Sequence, residues 1–175
     1  KDIDGKEHKA GSYMGKLTVV NFYSIQCPIQ AAWDPALAAI QREYEKQGVV
    51  FLNINSNATE IGKEPAKVEG DAKPYDNVRS HLKQKDLPYT VLVDHGNVVA
   101  DFFDAKTTPD VFVFGKDGRL VYRGLIDDDQ KGSKGDQAKR YLKDTLDKLL
   151  ADEKIEPFAT TRASDVSSGS PVKRK

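Results

Sequence analysis

The sequence predicts an α/β fold of three layers, a central mixed β-sheet sandwiched between helices. Three observations carry that expectation. Residues 17–23 (LTVVNFY) and 49–55 (VVFLNIN) are β-branched, aromatic and almost continuously apolar, the pattern of strands covered on both faces. Between them Ile29, Trp33, Leu37, Ile40 and Tyr44 recur at helical spacing. Farther on, Val111-Phe112-Val113-Phe114, the turn Lys116-Asp117-Gly118-Arg119 and Leu120-Val121-Tyr122-Arg123 read as a β-hairpin. A parallel β-α-β unit followed by an antiparallel pair and a closing helix implies an α/β/α sandwich.

The elements follow in order. Asp2-Ile3-Asp4-Gly5 reads as a turn, and Met14-Gly15-Lys16 leads into the first strand. Ser24-Ile25-Gln26 turns the chain into a helix that starts at Cys27. Pro28 suits its first turn, where a missing N–H costs nothing. Pro35 removes one hydrogen bond and is expected to kink it, and Gly48 stands at the usual C-terminal cap. The polar stretch 56–74 reads as a long loop or insertion. A helix is expected over 75–85, with Val78 and Leu82 facing inward, then a short strand at 89–93 and a short helix at 97–105. Residues 127–136 form a charged loop. The helix at 137–151 carries the apolar stripe Tyr141, Leu142, Thr145, Leu146 and Leu149. From residue 156 the composition turns to Ser, Thr, Pro and Lys, so one domain over 1–155 and a flexible tail over 156–175 are expected.

Composition narrows the function classes. With 175 residues, 27 basic and 27 acidic side chains and zero formal net charge, the chain fits one globular domain and gives no support for nucleic acid or an anionic membrane as partner. No apolar run approaches membrane-spanning length. A single cysteine excludes an internal disulfide and a cysteine-cluster metal site. His8, His81 and His95 are scattered, and Asp127-Asp128-Asp129 lacks the alternating ligands of a calcium loop. Gly115-Lys116-Asp117-Gly118 is hairpin chemistry rather than a phosphate cradle. No metal and no cofactor are therefore expected, and a monomer or weak dimer is. The chain begins at Lys1, which leaves both an exported protein stripped of its leader and a cytoplasmic one open.

The chemistry centres on Cys27, the one cysteine, placed where a strand hands over to a helix N-terminus. Free backbone N–H groups and the positive end of the helix dipole favour a thiolate there. Its plain alternative is a small buried hydrophobe.

These residues resemble the thioredoxin-like fold and its redoxin branch, the alkyl hydroperoxide reductase and thiol-specific antioxidant superfamily. Val20-Asn21-Phe22-Tyr23-Ser24-Ile25-Gln26-Cys27-Pro28-Ile29-Gln30 is similar to the strand and active-site turn of thioredoxins, with Pro35 at the place of their helix proline. Thr107-Thr108-Pro109-Asp110 resembles their threonine–cis-proline segment, and Leu120-Val121-Tyr122-Arg123-Gly124 the last redoxin strand. Ile54-Asn55-Ser56-Asn57 and 108–128 resemble a bacterial thiol-disulfide isomerase or peroxiredoxin-like subgroup.

The resemblance implies that Cys27 is the nucleophile, that Ser24 hydrogen-bonds the thiolate or bound oxidant, and that Gln26, Pro28, Gln30, Thr108 and Pro109 line a substrate groove. The departures are specific. Gln30 replaces the second cysteine, Asn21 stands at the place of the buried aspartate, and Val20 replaces the peroxiredoxin proline. Arg79 and Arg123 are candidates for the peroxiredoxin arginine. Gly169-Ser170-Pro171 resembles a Gly-Cys-Pro tail of the subgroup, so that Ser170 stands where relatives carry a distant thiol.

Two functions follow as expectations. In the first, Cys27 attacks a peroxide or a disulfide, and an external thiol resolves the product. In the second, the fold is a non-catalytic module that binds a partner protein through the groove beside Pro109.

Overall fold

The computed structural model describes residues 1–65, 74–155 and 170–172. The elements run β1 (Thr18–Phe22), α1 (Pro28–Glu45), β2 (Val50–Asn55), α2 (Ala58–Ile61), α3 (Asp76–Gln84), β3 (Val91–Val93), α4 (Val98–Phe102), β4 (Thr107–Thr108), β5 (Asp110–Phe114), β6 (Leu120–Gly124), α5 (Tyr141–Leu150) and β7 (Ser170–Pro171). Five strands form one sheet in the order β3-β2-β1-β5-β6. The β1–β2 and β2–β3 pairs are parallel, and β1–β5 and β5–β6 are antiparallel. The sheet is therefore mixed, and β1 lies at its centre.

Alternation along β1 explains the layers. Val19 and Tyr23 face one core with Trp33, Leu37 and Tyr44 of α1, Val78 of α3, and Leu142 and Leu146 of α5. Val20 and Phe22 face the other, with Leu52, Ile54, Phe112 and Ala100 of α4. A period of two thus turns a continuous apolar run into two buried faces. The second face is an aromatic cluster: the Phe22 ring lies 5.5 Å from Phe103 and 5.8 Å from Phe112, both edge-on.

Two expectations need correction. The stretch 56–74 is not all loop, because α2 forms within it directly after β2; residues 66–73 lie outside the described part. The tail 156–175 also lies outside it except for 170–172. There the chain is not loose: β7 pairs antiparallel with β4, Thr107 opposite Pro171 and Thr108 opposite Ser170. Val172 donates its N–H to the Lys106 carbonyl at 2.9 Å and buries its side chain in the second core. Pro171 sits at the position between these hydrogen-bonded pairs, where a strand tolerates a missing N–H.

Phe22 is fully buried and joins the central strand to the aromatic cluster. Phe22→Ala is expected to lower the unfolding free energy by about 3–5 kcal/mol, read from urea denaturation followed by circular dichroism.

Candidate active site

Three segments converge on one sulfur. Cys27 is the N-cap of α1, with extended backbone (φ −82°, ψ 114°) and Pro28 in the first turn. Its Sγ accepts the Gln30 N–H at 3.3 Å, one of the helix's otherwise free donors. As a thiol it donates to the Thr108 carbonyl at 3.0 Å, and the Thr108–Pro109 peptide bond is cis. The side chain and the amide of Ser170 complete the shell around the sulfur. Cys27 is only 2 % exposed.

Opposing effects set its acidity. Burial pushes the Cys27 thiol up, but hydrogen bonds from the Ser170 and Thr108 side chains and from the Gln30 and Ser170 amides outweigh it and hold the thiol below its ordinary value. The Thr108 carbonyl works the other way, since it can accept only from the neutral thiol.

The turn that delivers Cys27 is held from outside. Glu60 on α2 is buried. Its Oε1 accepts from the Ser24 hydroxyl at 2.5 Å and from the Gln26 N–H at 3.2 Å. Its Oε2 accepts from the Ile25 N–H at 3.0 Å and from Asn55 Nδ2 at 2.6 Å. The Ser24 hydroxyl proton therefore points at Glu60, and its oxygen accepts from Gln26 N–H at 3.3 Å. Ser24 fixes the turn rather than reaching the sulfur.

Gln30 also lies elsewhere than the groove. It is fully buried within a polar chain through the first core. Asn21 Nδ2 donates to Asn53 Oδ1 at 3.0 Å and to Gln30 Oε1 at 3.3 Å. Gln30 Nε2 donates to Asp34 Oδ1 at 2.8 Å, as does Tyr89 OH at 3.0 Å. Burial pushes the Asp34 carboxyl up, against the lowering effect of these donors and of His81 and Lys85. The side chain cannot turn outward without abandoning Asn21 and Asp34 inside the core.

Of the remaining residues, Gln26 and Pro28 are exposed at the start of α1, Thr108 is buried and Pro109 half-buried. Both candidate arginines are committed elsewhere. Arg123 clamps Asp110, next to Pro109, at 2.7 and 3.3 Å and donates to the Asp104 carbonyl at 2.9 Å. Arg79 binds the Ile3 and Pro74 carbonyls and Asp4. Among the described residues, no group of three or more His, Cys, Asp or Glu could hold a metal ion, and no helix is long and apolar enough to cross a membrane.

Residues 1–123 match the family described as AhpC/TSA. The chain belongs to this family. It is a thioredoxin-like redoxin, and its relatives agree with the architecture. A thiol-disulfide oxidoreductase ResA from Bacillus thuringiensis subsp. konkukian is 23% identical over 148 residues, which span 85% of this chain and 72% of that protein. The crystal structure of a hypothetical protein SMc02350 from Sinorhizobium meliloti 1021 superposes with a TM-score of 0.79 at 25% identity, covering 99% of this chain and 88% of that one. The pneumococcal exposed lipoprotein thioredoxin Etrx1 from Streptococcus pneumoniae TIGR4 gives 0.58 at 22% identity, over 85% and 96% of the two chains.

Glu60 was not singled out in the sequence. Its signal is faint: an acid three residues after Asn57, in a polar run just beyond a strand end.

Two expectations follow from this geometry. Glu60→Gln turns one acceptor oxygen into an amide N–H₂ facing donors on every side, and is expected to cost about 2–3 kcal/mol of stability, measured by urea denaturation. Asp34 has a folded-state value above its unfolded one, so its contribution favours the fold at low pH and is lost as pH rises through the folded value. Asp34→Asn keeps an Oδ1 acceptor for Gln30 and Tyr89 without that loss. Its stability relative to the native protein is expected to improve as pH rises from the unfolded carboxyl range through the raised value of Asp34, in a pH series of denaturation midpoints.

Proposed function

We propose that the protein is a thiol oxidoreductase in which Cys27 exchanges with disulfides. The observation that carries this reading is the sulfur at the N-cap of α1, accepting a helix N–H and held below its ordinary pKa by hydrogen bonds that overcome burial. A lowered pKa raises the thiolate fraction at neutral pH, and the thiolate is the attacking species.

The Cys27 thiolate attacks one sulfur of a substrate disulfide. A Cys27–substrate disulfide forms, the substrate S–S bond breaks, and the second substrate sulfur leaves as a thiolate that takes a proton from water. An external thiol then attacks the Cys27 sulfur of this mixed disulfide, releases the first substrate thiol and forms a new mixed disulfide with Cys27. A second external thiol regenerates Cys27 and leaves as the external disulfide. Two external thiols are thereby oxidised for each substrate disulfide reduced. The Gln30 N–H favours Cys27 as a leaving thiolate in the last step. Peroxide chemistry is disfavoured by the commitments of three donors: Ser24 to Glu60, Arg123 to Asp110 and Arg79 to the 3–4 and 74 segments. The name of the Bacillus relative, a thiol-disulfide oxidoreductase, supports the same choice.

The test is the rate of Cys27 alkylation by iodoacetamide against pH, followed by single-turnover reaction with oxidised glutathione and with hydrogen peroxide. The expected result is a midpoint below that of free cysteine and faster formation of the glutathione adduct than of sulfenic acid, both abolished in Cys27→Ser. Faster sulfenic acid formation would assign the site to peroxide instead. A thiol that reacts only when the protein unfolds would favour the binding-module reading.

A further inference from the structure

Residues 170–172 complete the shell of the sulfur from a remote part of the chain. Four contacts hold them there. The backbone adds to β4 as an antiparallel strand in the register Thr108–Ser170, and the Thr108 hydroxyl oxygen lies 3.4 Å from the Ser170 carbonyl. The Val172 N–H bonds the Lys106 carbonyl at 2.9 Å. The Val172 side chain, 6 % exposed, packs among Val20, Phe22, Ala105 and Phe112. Because Thr108 also holds the Cys27 thiol through its carbonyl, the residue opposite Thr108 stands at the reacting atom. That residue is Ser170.

An extended peptide paired with this edge would need the same features: main-chain partners for Thr108 and Lys106, a side chain at the sulfur, and an apolar residue two positions later. The residue between them can be proline, as Pro171 is. We propose that Ser170-Pro171-Val172 is a built-in pseudosubstrate, an added strand that fills the groove in which an extended disulfide-bearing peptide of the pattern Cys-Xaa-aliphatic presents its sulfur to Cys27. Ser170 carries oxygen where the substrate carries sulfur, so the segment docks without reacting. The substrate must displace it, because Cys27 is otherwise sealed. This rests on the reading of Cys27 as the nucleophile.

The test uses the full chain and two hexapeptides, Ala-Thr-Cys-Pro-Val-Lys and Ala-Thr-Cys-Pro-Asp-Lys, each with its cysteine joined to thionitrobenzoate. Attack of the Cys27 thiolate on the peptide sulfur forms the Cys27–peptide disulfide and releases one thionitrobenzoate anion, read by its absorbance. Val172→Asp withdraws the apolar anchor. This variant is expected to react with the valine peptide about tenfold faster than the native chain, and about tenfold faster with the valine than with the aspartate peptide. Circular dichroism and thermal melting check that the variant is folded.

In a second arm, Ser170→Cys is treated with oxidised glutathione. Two thiols and one oxidised glutathione give one internal disulfide to Cys27 and two reduced glutathiones. The product is expected to show no free thiol and no reaction with the peptide until dithiothreitol is added. Equal peptide rates for native and Val172→Asp chains, with Cys27 reactive in both, would overturn the pseudosubstrate while leaving the nucleophile intact. Two thiols that still titrate after oxidation of Ser170→Cys would do the same. A Cys27 that reacts with neither peptide in either chain until denaturant is added would overturn both.

Discussion

The site depends on one carboxylate that is not part of it. The chain leaves the central strand at Phe22 and must reverse within four residues to start α1 at Cys27. Such a turn strands backbone donors that neither the sheet nor the helix can use. Glu60 gathers them, taking the Ile25 and Gln26 amides together with Ser24 and Asn55. The placement of α2 immediately after β2 follows from this need. The parallel neighbour of β1 ends beside it, so a short helix at that end carries an acid straight to the turn. Precision at the sulfur is thus set by the strand next door.

The main architecture was legible because it rests on period. The 17–23 and 49–55 runs, the spacing of Trp33, Leu37 and Tyr44, and the hairpin around Gly118 each reveal which faces are buried, and burial decides the fold. Parts governed by single polar contacts were not legible. Gln30 occupies the place of a second active-site residue, yet it turns into the core, where Asn21 and Asp34 offer partners that an exposed position would lack. A hint existed in the asparagines at 21, 53 and 55, polar residues inside apolar strands, but pattern alone does not say which partner each one finds. Ser24 shows the same limit: three residues from Cys27 in sequence, its hydroxyl donates to Glu60.

The segment 170–172 escaped for a different reason. Averaged composition marks 156–175 as poor in apolar residues, and such stretches rarely gain enough from burial to offset the entropy of ordering. The average hides Val172. Anchored in the aromatic core and joined to an existing strand edge, Val172 draws on surface that β4 and β5 had already organised.

In the proposed exchange, a buried glutamine where thioredoxins carry a second cysteine changes the logic of the reaction as well as its parts. Where a second thiol stands three residues away, the mixed disulfide is resolved within the same molecule at high effective concentration. Here the Gln30 backbone still gives the sulfur its helix N–H, while the side chain is committed to Asp34 and cannot take part. In the proposed exchange the lifetime of a Cys27 adduct is set by the concentration and reach of an outside thiol. That arrangement gives value to a covering strand: an exposed thiolate without an internal partner would be open to any passing disulfide, whereas in the pseudosubstrate proposal one sealed under Ser170 yields only to a ligand that can compete for the Thr108 edge and the Val172 pocket. On that proposal selectivity resides in the strand that must be displaced, and reactivity in the helix terminus beneath it.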